Sequence, residues 1–169
     1  MLLNVLLIVV LLVCAATDIT KRKIYNIVIF PALMAAFVVH FMLDGWANLG
    51  AALAGFFVGI GILLIPYLLG GMGAGDVKLL GLVGAIKGTV FVFHTAFYMA
   101  VLGAIMALGV LFFRRHALQR MKALLYGFLA FKNGYRIPFL IDKESLTTAY
   151  PYGVAISAGA LLCLFLNGG

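Results

Sequence analysis

Six stretches of the chain are almost continuously apolar: residues 1–17, 27–43, 49–69, 77–86, 89–113 and 152–166. Most approach the roughly 20 residues a helix needs to cross a ~30 Å hydrocarbon core, and they lack the alternation of barrel strands. The pattern predicts an all-α membrane protein, a polytopic bundle of six transmembrane helices in a single domain over residues 1–169. The fourth run is short and ends at Lys87-Gly88. It crosses only with those two residues at the interface or where the bilayer is thin. Residues 1–17 carry no basic segment ahead of the apolar run, and Lys21, Arg22 and Lys23 follow it. That order reads as a retained first span, not a signal peptide.

Composition sharpens this. Of 169 residues, 66% are hydrophobic and only 10% charged, with a mean hydropathy of +1.21. Soluble domains carry about 45–50% apolar and about 25% charged residues, so a soluble globular chain is excluded. The net charge of +7 sits in short segments between apolar runs, with no basic stripe interleaved with aromatics. Membrane lipid is therefore the expected partner of these cations, and nucleic acid is not. Cys14 and Cys163 both lie inside apolar runs without metal-ligand spacing. They read as buried small hydrophobes, and no metal or cofactor is expected.

With the N-terminus outside, six spans place eleven of the twelve basic residues on the cytoplasmic side and leave Lys87 alone outside. The positive-inside rule thus supports both the span count and the orientation in a cytoplasmic (inner) membrane. Between residues 114 and 150, Leu118, Met121, Leu125, Phe128 and Leu129 recur at helical spacing with Arg120 and Lys122 off that face. This predicts an amphipathic helix on the cytoplasmic surface.

The chain has five acids: Asp18, Asp44, Asp76, Asp142 and Glu144. Asp44 falls in a short outer Asp44-Gly45-Trp46 loop, and Asp142 and Glu144 in the long cytoplasmic one. Asp18 and Asp76 differ, because each sits where a span meets the cytoplasmic boundary, with two crossings between them. Ionisable groups at membrane depth are costly and signal function. Two carboxylates in one partly desolvated site do not both ionise easily, which leaves one acid and one base near neutral pH. Such a pair can activate water and protonate a leaving amine, the chemistry of peptide hydrolysis. The helix dipole at Asp76 favours its anion and predicts it as the more acidic partner. Gly73 and Gly75, lacking Cβ, would let a substrate backbone approach.

Gly71-Met72-Gly73-Ala74-Gly75-Asp76-Val77-Lys78 resembles the G-x-G-D-x-K signature of the type IV prepilin peptidases. The run from Asp18 through Lys21-Arg22-Lys23 to Ile24-Tyr25-Asn26 resembles that family's first-aspartate element, with Tyr25 where Pro is common. Tyr150-Pro151-Tyr152-Gly153 resembles its aromatic-Gly element before the last span. The resemblance implies an aspartic endopeptidase with Asp18 and Asp76 as the catalytic pair. It would remove the leader of prepilin-like proteins after a glycine, at the cytoplasmic membrane face. The four-cysteine domain of the bifunctional members has no counterpart, so methyl transfer is not expected. The size suits the short, peptidase-only Flp/Tad-type branch.

Gly73, Gly75 and Lys78 are the candidate substrate-binding residues, although a boundary lysine also serves by snorkelling to headgroups. Lys21, Arg22 and Lys23 read as topology signals, and His40 and His94 as packing or interface polarity. Two other classes compete. A proton-coupled transporter would use the boundary carboxylates to carry protons, and a non-catalytic pilus-assembly protein would only bind pilin helices. Nothing in the sequence fixes the oligomeric state.

Overall fold

A computed structural model describes residues 2–113 and 152–166. The expected amphipathic helix falls outside the described residues. These form α1 (Leu2–Lys21), α2 (Asn26–Leu68), α3 (Ala74–Lys87), α4 (Thr89–Phe113) and α5 (Tyr152–Leu166). Contacts separate residues 1–102 with 149–169 from residues 103–148, and the described part of the latter is the last turns of α4.

Among the described residues, four segments are long and apolar enough to cross a membrane: Leu2–Lys21, Asn26–Leu43, Gly45–Leu68 and Thr89–Met106. The two middle ones are limbs of α2. Gly45, at φ +64°, breaks the helix between them. The Phe37 and Phe56 rings meet edge to face at 6.0 Å. On a straight helix their Cα atoms would be about 28 Å apart, so α2 folds back on itself as a hairpin. The expected three-residue outer loop is thus a sharp turn within helical backbone.

The second limb ends where the sequence supplies glycine. Gly71 N–H donates to Pro66 O at 3.0 Å and Gly70 N–H to Tyr67 O at 2.9 Å, with Gly70 at φ +75°. This is a Schellman cap, which needs a left-handed residue that glycine adopts without strain.

Helix α3, at 14 residues, is about 21 Å long and shorter than a bilayer core. It is also the most enclosed element, with Leu79, Leu80, Leu82, Val83 and Ala85 fully buried. It packs chiefly on the α2 hairpin. Gly55 and Gly59 of the second limb face Gly84 and the Leu80–Gly81 peptide with no side chain between. Small residues permit such close helix contact where lipid offers no hydrophobic drive. His40 Nε2 lies 3.3 Å from Ile86 O and joins the first limb to the end of α3. His94 is exposed.

Helix α5 closes on α1, where Ser157 Oγ donates to Leu11 O at 3.1 Å. Cys14 and Cys163 are buried and form no disulfide, as expected of small hydrophobes. The outward surfaces are apolar instead, with Met42, Phe57, Phe97 and Phe165 all well exposed. An apolar exterior around a core rich in small residues suits a lipid surround.

Candidate active site

The site begins at the end of α1. That helix runs through Lys21, so Asp18 stands in its last turn and is 5% exposed. Arg22 ends the helix in the left-handed region, at φ +50°, and its N–H returns to Asp18 O at 2.9 Å. A non-glycine residue held this way costs about 1–2 kcal/mol, a strain that tends to be kept where geometry matters. The chain then turns through Lys23, Ile24 and Tyr25 into α2, and the extended Tyr25 precedes the first helical residue.

Asp76 stands in the first turn of α3. Its Oδ2 accepts the Gly73 N–H at 3.1 Å, so an acid at the third helical position caps its own N-terminus. Gly75 carries α3 close to the α1–α2 connection, where a Cβ would lie 2.9 Å from Ile24 Cβ. The two chain segments therefore meet only because position 75 has no side chain.

Asp18 and Asp76 line a single cavity of about 330 Å³, with Gly73, Gly75 and residues 22–26 completing its wall. Asp76 lies outside the four candidate spans. Burial first, and the negative charge of Asp18 second, push its carboxyl up to about 6, against the pull of the Gly73 N–H. Desolvation and like charge thus outweigh the Gly73 N–H at Asp76. Two such carboxyls sharing one cavity titrate as a pair, and near neutral pH they can hold one proton between them.

Lys78 does not line this cavity. Its Nζ donates to Asn26 Oδ1 at 3.0 Å and lies 5.3 Å from the Phe30 ring centre, tying the start of α3 to the start of α2. Arg22 and Lys23, read from sequence as topology signals, line it instead. Helix α5 also reaches the site, since the Val154 N–H donates to Asp18 Oδ2 at 3.2 Å. The aromatic-Gly motif was the sequence signal nearest to that contact, but it gave no partner for it. Among the described residues no cluster of His, Cys, Asp and Glu is arranged to hold a metal ion.

The sequence pattern of the type IV leader peptidase family matches residues 5–108, which takes in both aspartates and the glycines between them. The chain belongs to that family. No curated relative and no solved structure matches it. As a type IV leader peptidase it is a protease, and its long apolar helices make it a multi-pass membrane protein. Gly153 and Val154 lie beyond the matched residues.

Proposed function

We propose that this leader peptidase is an aspartic endopeptidase, with Asp18 and Asp76 as its catalytic pair. Its substrates are prepilin-like proteins, cut after a glycine at the end of their N-terminal leader. The observation that carries the reading is the shared cavity: two buried carboxyls from distant parts of the chain, walled by glycines. The ionised carboxylate accepts a proton from water as the water oxygen bonds to the scissile carbonyl carbon. The protonated carboxyl gives its proton to the carbonyl oxygen as the tetrahedral diol forms. The other carboxyl then passes the proton it took from water to the leaving nitrogen as the C–N bond breaks. A diol hydroxyl returns its proton to the carboxylate that first donated one as the C=O bond re-forms. The products are a new carboxyl terminus on the leader and a new amino terminus on the pilin.

Gly73 and Gly75 supply a wall over which an extended substrate backbone can pass. The scissile bond must be extended, because a helix encloses its own peptide groups. The distribution of basic residues supports a site at the cytoplasmic face of the inner membrane, with the N-terminus outside. Methyl transfer forms no part of this reading.

The test is co-expression with a prepilin-like substrate, reading the substrate's N-terminus by mass spectrometry. Cleavage after the leader glycine by wild type, and by neither Asp18→Asn nor Asp76→Asn, is the expected result. Full cleavage by either variant would sink the catalytic pair.

A further inference from the structure

Helix α5 brings no acid to the cavity, yet its first turn grips one. The Val154 N–H donates to Asp18 Oδ2 at 3.2 Å, and the Gly153 backbone lies directly against the same carboxylate. The first N–H groups of a helix have no acceptor within it, so this donor is available without loss to α5. Position 153 supplies the room. A Cβ there would lie 2.9 Å from Asp18 Oδ2, 3.1 Å from its Cγ and 2.9 Å from Ile24 Cδ1. Any side chain would displace the carboxylate from the Val154 amide.

This contact is separable from the docking of α5. Further along the helix, Ser157 bonds to Leu11 O. Gly159 lies against α4, where a Cβ would meet Met99 N at 2.8 Å and Thr95 O at 3.0 Å. These contacts seat the helix whatever happens at Asp18. Asp18 stands in the last turn of α1, and the Val154 N–H of α5 selects the rotamer that keeps its carboxylate in the cavity. The geometry points to Gly153 and the Val154 amide as positioning residues for the reaction, holding the Asp18 carboxylate in the orientation from which it acts. The inference rests on the proposed aspartic mechanism.

The test compares purified full-length variants in detergent on a prepilin-like substrate, with kcat, KM and thermal midpoint measured for each. In Gly153→Ala the new methyl meets the movable ends of Asp18 and Ile24, so the chain folds normally. Its kcat falls about 10–100-fold with KM and midpoint unchanged, as a misplacement near 1 Å would cause. Val154→Pro removes the donor within the first helical turn and loses kcat likewise, while Val154→Ala keeps the donor and retains it. Gly159→Ala meets backbone atoms and lowers the midpoint without changing the kcat of the folded enzyme. Wild-type kcat in both Gly153→Ala and Val154→Pro overturns the inference, as does a loss of kcat that follows the midpoint across all four variants. If wild type cleaves and Asp18→Asn does not, either result concerns positioning alone. A wild type that cleaves nothing removes the proposed function, and this inference with it.

Discussion

Gly55 and Gly84 lie backbone to backbone, so that a methyl group on either would overlap the other's carbonyl. This contact sets how closely α3 approaches the second limb of α2. It therefore also sets the position of Asp76 at the other end of α3.

Gly84→Ala should lower stability by about 1–3 kcal/mol, because its Cβ meets the Gly55 carbonyl and lies 2.7 Å from Val92 Cγ2. Thermal unfolding in detergent measures it, with Gly61→Ala as the comparison. A methyl group at position 61 would meet nothing within 4 Å. That variant should leave the midpoint unchanged or raise it slightly.

Asp18→Asn and Asp76→Asn should each reduce the cleavage rate by about 10²–10⁴-fold, the range for a lost acid–base group. Neither should lower the thermal midpoint. Asp76→Asn should raise it at neutral pH, since it removes a buried charge while keeping an acceptor for the Gly73 N–H.

The Asp76 carboxyl also makes stability depend on pH. It is pushed up from 3.8 to about 6 in the folded protein, so between those values the folded state binds more protons than the unfolded one. Its contribution to stability falls as pH rises through that window and levels off above about 6. The fall in thermal midpoint from pH 4.5 to pH 7.5 should be smaller in Asp76→Asn than in wild type. An equal fall in both proteins would contradict the raised value.

Lys78→Met should change KM less than about twofold, because Lys78 does not line the cavity and its ammonium is held by Asn26 and the Phe30 ring. An exposed contact of this kind contributes about 0–1 kcal/mol, so the midpoint should move little. A tenfold rise in KM would return Lys78 to substrate binding. Steady-state kinetics on one prepilin-like substrate distinguishes the two.

The acids were legible in sequence because charge is rare in this chain and a carboxylate near a membrane span is conspicuous. Asp18 and Asp76 could be paired by counting crossings, and the structure places them in one cavity. Helicity was equally plain, since continuous apolar runs admit little else. What hydropathy missed depends on contacts between distant segments. Val154 meets Asp18 through its backbone N–H, which no side-chain pattern reveals. Lys78 is paired with Asn26 by the packing of α3, not by anything adjacent to it. The roles of Gly75 and Gly153 depend on which atom lies opposite, Ile24 Cβ in one case and Asp18 Oδ2 in the other.

The hairpin in α2 makes the separation of the two acids along the chain independent of their proximity in space. Its limbs carry the chain away and return it, and α3 meets the first limb at His40 and the returning limb at Gly55 and Gly59. The stretch between His40 and Gly55, around the bend, could gain or lose a helical turn in both limbs together and adapt to a thicker or thinner bilayer, with the cavity undisturbed. A change in one limb alone would shift its partner by about 1.5 Å per residue and carry Asp76 out of register with Asp18. Matched length variation at the bend, and constancy at the opposite end, is the pattern of tolerated insertions that this architecture allows.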